Sequence, residues 1–145
     1  MIQNADYEAV VRESFARQKF MATLGAQLVH VAPGEVDIAL EHRDDLTQQH
    51  GFVHAGVLGS ILDSACGYAA YTLMPADGDV LSIEYKLNLL APARGTRFVA
   101  RGRVIRAGRT VTTCRAEAFA DDGTAPIAIL LASMMTLHDR SGIRG

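Results

Sequence analysis

The chain has 145 residues, of which 49% are hydrophobic and 21% charged, and its formal net charge is −2. This length suits one domain over residues 1–145, and the slightly acidic balance argues against a general nucleic-acid or membrane-surface binder, which needs a basic excess. No run of eighteen apolar residues occurs, so we expect no transmembrane span.

The N-terminus and the cysteines bear on the cellular compartment. The first ten residues carry acids early and lack a basic region followed by an apolar core, so no signal peptide is expected. Cys66 and Cys114 lie in strongly apolar segments. We interpret both as reduced core residues rather than a structural disulfide, and we predict a cytoplasmic protein.

Hydrophobic periodicity predicts two helices and six strands. Strands that are joined by short turns make an antiparallel sheet, and a buried helix between them must be covered by that sheet. The predicted fold class is therefore α+β. In chain order the elements are a helix over 7–21, strands over 27–31 and 36–41, a loop over 43–53, a helix over 54–74, and strands over 80–90, 98–105, 110–120 and 125–137.

Turn-forming and capping residues mark the element boundaries. Asp6 is a candidate N-cap for the first helix, and Gly25 is expected to end it. Pro33–Gly34 predicts the turn of a first hairpin, and Asp122–Gly123 predicts a tight hairpin before the last strand. The tail, residues 139–145, is expected to be frayed.

The second helix, HAGVLGSILDSACGYAAYTLM, is small-sided or apolar on every face, which is typical of a buried helix. Asp63 is its only charged residue. A buried carboxylate is costly unless an arginine or a backbone amide satisfies it or it emerges at the edge of the sheet. Because no structural role needs an acid there, we interpret Asp63 as the reacting carboxylate of an active site built by residues 48–74.

The start of this helix offers a second catalytic element. The first-turn amides of Ala55 and Gly56 have no intrahelical partners and can hold a developing oxyanion, which fits acyl transfer. Ala55 and Asp63 are eight residues apart, which is about 12 Å along a straight α-helix. One carbonyl carbon cannot contact both on a single chain. If both act together, they come from the two subunits of a two-fold dimer.

The segment QQHGFVHAGVLGSILDSACGYAA, residues 48–70, resembles the core motif of hotdog-fold thioesterases of the phenylacetate-degradation (PaaI-like) type. The resemblance covers nearly the whole chain. It implies the hotdog fold, an antiparallel sheet wrapped around one long central helix, and an acyl-CoA thioesterase that needs no metal or organic cofactor. It also implies homodimers, often paired into homotetramers, with active sites between subunits.

The resemblance implies a catalytic role for five residues. Asp63 matches the family's carboxylate, which serves as general base or nucleophile. Ala55 matches a glycine whose backbone N–H polarises the thioester carbonyl, and alanine keeps this N–H provided that φ is not positive. Gln48 matches an amide residue that assists the carbonyl or the water. His54 matches the motif histidine, which fixes the loop or contacts the thioester, and Ser82 matches a position where a hydroxyl can hold the water.

Pattern alone does not single out Ser82. The segment over residues 81–89 alternates, with Leu81, Ile83, Tyr85, Leu87 and Leu89 predicted on one face. Ser82, Glu84, Lys86 and Asn88 take the other face. Its candidacy therefore rests largely on the resemblance.

Arginines are concentrated over residues 94–109. Because side chains alternate along a strand, arginines at every second position form one face, which is exposed to solvent. The competing interpretation is a patch for the phosphates of coenzyme A, where arginine makes bidentate contacts. Arg103, Arg106 and Arg109 are the candidates, since turns similar to residues 106–110 reach CoA in the family that the chain resembles.

Other reactive patterns are weaker. His50 and His54 have the spacing of a helical metal pair, but their stretch is loop-like and no third ligand is evident. Cys66 shares a helix face with Asp63 and has no visible basic partner, while Ser64 lacks the Gly-x-Ser-x-Gly elbow. We therefore predict neither a metal site nor a cysteine or serine nucleophile.

The sequence predicts an enzyme that hydrolyses acyl-CoA thioesters with medium-chain, long-chain or aryl acyl groups, without nucleic-acid or membrane partners. A non-hydrolytic acyl-CoA-binding or sensing protein on the same fold is the first alternative. It is disfavoured because mere binding has no use for a buried acid. The second is a hotdog dehydratase or hydratase, which pairs the aspartate with a nearby histidine. No histidine follows Asp63 until His138.

Overall fold

A computed structural model describes residues 1–138, so the expected fraying of residues 139–145 lies outside the described part of the chain. The predicted order of helices and strands is confirmed, with some shifted boundaries. The elements are α1 (Tyr7–Arg17), α2 (Lys19–Leu24), β1 (Gln27–Ala32), β2 (Glu35–Glu41), a 3-10 turn (Asp44–Leu46), α3 (Ala55–Tyr71), β3 (Gly78–Leu89), β4 (Arg97–Ala107), β5 (Val111–Ala120) and β6 (Ala128–His138).

These six strands form one antiparallel sheet in the order β1-β2-β4-β5-β6-β3, so β1 and β3 are its edges. The α3 helix packs against one face of the sheet and contacts every strand from β2 to β6. Large side chains from both layers are fully buried, among them Leu58, Ile61 and Leu62 on α3 and Phe98 and Leu130 on the sheet. Each such side chain contributes about 1.5–3 kcal/mol by its burial. The α+β class and the long central helix are confirmed.

Gly102 on β4 sets how closely α3 approaches the sheet. A Cβ atom at this position would overlap the carbonyl group of Ala65 on the helix. Gly67 on α3 is different, because a Cβ there would meet nothing within 4 Å. The close helix–sheet contact therefore depends on a glycine of the sheet, and Gly67 faces open space.

We expect Gly102→Ala to lower the free energy of unfolding by about 1–3 kcal/mol, because the helix backbone must move away from the sheet to admit the methyl group. The matched control is Gly67→Ala, which should raise the free energy of unfolding by up to about 1 kcal/mol since alanine is the better helix former. Urea denaturation measures both values. A Gly102→Ala variant as stable as the wild type would contradict this view of the contact.

The N-terminal helix differs from the prediction of one helix over 7–21. The chain leaves the helical conformation at Gln18, whose ψ is 98°, and a second short helix follows. This break allows α2 to bury Met21 and Leu24, while α1 buries Val11. Gly25 ends α2 in the left-handed conformation, as predicted, but the Asp6 side chain makes no capping hydrogen bond.

The tight hairpin predicted at Asp122–Gly123 is wrong, because seven residues, 121–127, connect β5 to β6. Asp121 adopts a positive φ of 47°, and its carboxylate accepts hydrogen bonds from the Thr96 hydroxyl and from the backbone N–H groups of Thr96 and Arg97. These donors hold the pKa of Asp121 below its ordinary value, the Thr96 hydroxyl contributing most. The connection is longer because it is tied to the start of β4.

A β-bulge in β3 changes the predicted faces of that strand. Ser82 pairs with Met134 and Glu84 pairs with Ser133, so Ile83 is an extra residue that shifts the alternation by one. Beyond the bulge, Tyr85, Leu87 and Leu89 pair with the buried residues of β6. Ser82 therefore lies on the same helix-facing side as these apolar residues, and the prediction that it lies opposite to them is wrong.

Candidate active site

Asp63 lies in the middle of α3 and faces β3. The Ser82 hydroxyl donates a hydrogen bond of 2.7 Å to Asp63 Oδ1 and also lies 3.3 Å from the sulfur of Met134. Within residues 1–138 Asp63 forms no ion pair, so no arginine neutralises it. Burial raises the pKa of Asp63, and the Ser82 hydrogen bond partly opposes this rise. A half-buried carboxylate with one hydroxyl partner is suited to accept a proton.

A cavity of about 240 Å³ opens beside Asp63, between α1, α3 and the start of β3. Its walls carry many polar groups, including Ser14, Gln18, Ser64 and Tyr68. The Ser14 and Tyr68 hydroxyls lie 3.3 Å apart, and the buried Oε1 of Gln18 has no hydrogen-bond partner in the described part of the chain. Sequence reasoning missed this wall, because Ser14 and Gln18 come from the first helix and nothing in their local pattern indicates which element they face.

The start of α3 supplies a backbone donor. His54 is the N-cap, and its Nδ1 accepts a 2.8 Å hydrogen bond from the N–H of Gly56. The prediction that Gly56 helps to hold an oxyanion is therefore not supported, since its N–H is already used. Within residues 1–138 no acceptor binds the N–H of Ala55, and the φ of Ala55 is not positive. Ala55 thus offers a free N–H without backbone strain.

Gln48 is oriented by its own loop. Its side-chain Oε1 accepts hydrogen bonds from the backbone N–H groups of His50 and Phe52, and its backbone N–H donates to the carbonyl oxygen of Phe52. Because the amide oxygen is occupied, the Nε2 group is the end that can donate to a ligand. The imidazole of His54 is set in the same way: Nδ1 accepts, so in the neutral ring Nε2 carries the hydrogen.

Gln48 and Ala55 line a second cavity of about 480 Å³, which is walled mainly by apolar residues, among them Phe52, Leu58 and Leu89. Among residues 1–138 none lines both this cavity and the cavity of Asp63. The structure therefore places Asp63 and Ser82 in one cavity, and Gln48 and the Ala55 N–H, the predicted oxyanion donor, in another. Strand β3 borders both, with Ser82 at the first cavity and Leu89 at the second.

The three arginines predicted to bind phosphate line neither of these cavities. The guanidinium of Arg103 donates to Asp37 at 2.6 Å and lies 3.6 Å from Glu35. Arg106 is exposed, and Arg109 lines a third cavity of about 480 Å³ at the C-terminal end of α3, together with His138. A different arginine, Arg94, lies over the ring of Phe52 at the second cavity, 5.2 Å from its centroid.

The other reactive side chains are placed as core or loop residues. Cys66 and Cys114 are free and fully buried, and the pKa of Cys66 is raised by its contact with Cys114 and by burial, which keeps the thiol protonated. In residues 1–138 no cluster of three or more His, Cys, Asp or Glu side chains is placed to hold a metal ion. No helix in the same range has the length and apolarity needed to cross a membrane.

A six-stranded antiparallel sheet wrapped around one long central helix defines the hotdog fold, which thioesterases of the PaaI type share. The chain belongs to the Thioesterase superfamily, whose family model matches residues 50–127. This range includes α3 and β3 to β5, and with them four of the five predicted catalytic positions, Gln48 lying just before it.

Solved structures support the assignment. A thioesterase family protein from Silicibacter pomeroyi is 48% identical, with a TM-score of 0.88 over 91% of this chain and 98% of that one. A variant of the phenylacetic acid degradation protein PaaI from Thermus thermophilus is 28% identical, with a TM-score of 0.75 over 83% and 100%. The Escherichia coli PaaI protein is 14% identical and shares the fold, with a TM-score of 0.84 over 93% and 96%.

Proposed function

We propose that this protein is an acyl-CoA thioesterase whose active site forms between two subunits. The observation that carries this proposal is the separation of Asp63 and the Ala55 N–H into two cavities along the free edge of β3. A two-fold axis near the middle of β3 makes this strand antiparallel to its copy and brings the Ser82 end of one strand to the Leu89 end of the other. Each site then takes one cavity from each chain.

The edge of β3 supports such a dimer. Four large apolar side chains on this strand are 45–53% exposed, namely Leu81, Ile83, Tyr85 and Leu89. An open edge strand with apolar side chains is a template for pairing with a second chain. We also propose that dimers pair into homotetramers, since Val111 and Leu131 on the outer face of the sheet are 43% and 50% exposed. Light scattering of the purified protein measures the molar mass, which distinguishes the dimer from the tetramer.

In the proposed reaction the thioester carbonyl oxygen accepts a hydrogen bond from the Ala55 N–H of one subunit, with Gln48 Nε2 as a second donor. In one route Asp63 of the other subunit removes a proton from water while the oxygen of that water attacks the carbonyl carbon; the carbon–sulfur bond then breaks, and the CoA thiolate takes that proton from Asp63. In the other route the carboxylate itself attacks the carbonyl carbon, and the carbon–sulfur bond breaks as the anhydride forms. Water then hydrolyses the anhydride, which restores the carboxylate and supplies the proton that the thiolate takes. We also propose that these steps need no metal or organic cofactor.

The test is release of free CoA from a panel of acyl-CoA thioesters with medium-chain, long-chain and aryl acyl groups. We expect release from at least one class of thioester, with the acyl group bound in the cavity of Asp63, which Gly67 also lines. Failure of every acyl group would contradict the proposal. We further propose that the enzyme acts in the cytoplasm, which agrees with its two free cysteines.

The Ser82 hydroxyl should set the pH range of the reaction. It stabilises the ionised form of Asp63, so Ser82→Ala is expected to raise the pKa of this carboxyl further above its ordinary value. Activity requires the ionised form, and the acidic limb of the kcat/KM–pH profile should therefore move to higher pH. Ser64→Ala is the matched control, because Ser64 lines the same cavity without a hydrogen bond to Asp63. An unshifted acidic limb in Ser82→Ala would refute this role.

A further inference from the structure

Arg94 is held in place without a counter-charge. Its guanidinium lies over the Phe52 ring, with 5.2 Å to the centroid, and its side chain is exposed. Over residues 1–138 it makes no ion pair, whereas Arg97 pairs with Glu41 and Arg103 pairs with Asp37. A cation–π contact of this kind positions a guanidinium without using its N–H donors, which remain available to a ligand. Arg94 is thus an oriented cation without an internal partner.

The position of Arg94 relates it to the Ala55 cavity. Phe52, Pro92 and Ala93 line that cavity, and Arg94 directly follows the last of them. The backbone N–H of Val53 donates to the carbonyl oxygen of Ala93, so the segment that carries Arg94 is fixed to the loop before α3. Arg94 therefore lies next to the cavity that Ala55 lines, with its guanidinium over a ring of the cavity wall.

The charges on their walls make the two cavities unequal as binding sites for the phosphate-bearing arm of the substrate. Among residues 1–138 no carboxylate lines the Ala55 cavity, while Asp63, which has no ion pair, lines the other. Phosphate groups would be repelled by Asp63 and attracted by the guanidinium of Arg94 beside the Ala55 cavity. The apolar wall of the Ala55 cavity also suits the largely uncharged arm that joins the thioester to the phosphates.

We propose that Arg94, oriented by Phe52, binds the phosphates of the coenzyme A part of the substrate. The inference rests on the proposed thioesterase function and replaces Arg103, Arg106 and Arg109 as the phosphate contact. Guanidinium groups bind phosphate oxygens through paired, charge-assisted hydrogen bonds. Arg94 accordingly contributes to KM for CoA thioesters and leaves the reacting groups untouched.

The test compares one acyl group on coenzyme A and on pantetheine, which has the same arm without phosphates. Arg94→Ala should raise KM for the CoA thioester about tenfold, with kcat unchanged, as expected when one charge-assisted contact is lost. KM for the pantetheine thioester should not change. Arg94→Lys should give an intermediate KM for the CoA thioester. Arg101→Ala is the matched control, because Arg101 is likewise stacked on an aromatic ring, that of Phe119, at 4.7 Å.

The possible results distinguish a failure of the Arg94 proposal from a failure of the proposed thioesterase function. An equal rise in KM for both thioesters would show that Arg94 supports the loop, and it would overturn the phosphate contact. A rise in KM for the CoA thioester alone in Arg109→Ala, with no rise in Arg94→Ala, would overturn it as well. If the wild type hydrolyses neither thioester, the proposed function fails, and calorimetric titration with free CoA then tests Arg94 alone. Equal CoA affinity of the wild type and Arg94→Ala in that titration, or no binding to either, would overturn the inference.

Discussion

Asp63→Asn is expected to reduce thioester hydrolysis by about 10²–10⁴-fold, because the amide can neither accept the proton of water nor attack the carbonyl carbon. The hydrogen bond from Ser82 can persist, since the asparagine oxygen accepts it as the carboxylate does. The melting temperature should not fall, because the substitution removes a charge that burial disfavours. The measurement is the initial rate of free thiol release, together with a thermal melt.

Asp77→Asn is the control for this variant. It also removes one acid, but Asp77 is exposed between α3 and β3, and its substitution should leave the rate within about twofold, as for surface changes generally. An Asp63→Asn variant that retains the wild-type rate would eliminate the carboxylate mechanism. A wild type that binds acyl-CoA without releasing CoA would instead favour the binding or sensing protein.

Two inactive variants are expected to restore activity when they share a dimer. Ala55→Pro removes the N–H of Ala55 at the first position of α3, where proline is well tolerated, and the extended ψ of 138° at His54 suits a residue before proline. Loss of one oxyanion donor costs about 10²–10³-fold in kcat. Asp63→Asn supplies the second inactive chain.

In a mixed dimer one site contains Asp63 from the Ala55→Pro chain and the Ala55 N–H from the Asp63→Asn chain, and the other site contains both substitutions. Co-expression with two tags and purification of the doubly tagged dimer should therefore give about half of the wild-type rate. Ala55→Gly is the matched control for the first chain, because it keeps the N–H and should remain active. A doubly tagged dimer as inactive as each parent would place the whole site within one chain.

The elements and the central helix were predictable because hydrophobic periodicity is a local property of the sequence. The long helix over residues 55–71 and the strands after it follow directly from that pattern. The break at Gln18 and the connection over residues 121–127 were not predictable in this way. Both depend on contacts with distant parts of the chain, the core around Met21 and the hydrogen bonds from Thr96 to Asp121.

The candidate active site likewise combines features that the sequence indicates with contacts that it does not. Asp63 was identifiable from the sequence as a charge on an apolar helix, and the rise of that helix separated it from Ala55. The family resemblance pointed to Ser82, but the pattern did not indicate that it contacts Asp63. Strict alternation placed Ser82 on the same face as Glu84 and Lys86, away from Tyr85, Leu87 and Leu89. One extra residue at Ile83 brings Ser82 to the helix side, and the residues on each side of the bulge do not indicate it by themselves.

The sequence by itself determined the order of the elements, and it predicted Asp63 as the reacting carboxylate, the Ala55 N–H as the backbone donor and the distance that keeps them apart on one chain. Those properties follow from local pattern and from the fixed rise of an α-helix. Only the tertiary structure decided which side chains surround them: the bulge that brings Ser82 to Asp63, the histidine that occupies the Gly56 N–H, and the ring that orients Arg94. These contacts join segments far apart in the chain or turn on side-chain orientation, which composition and periodicity do not encode.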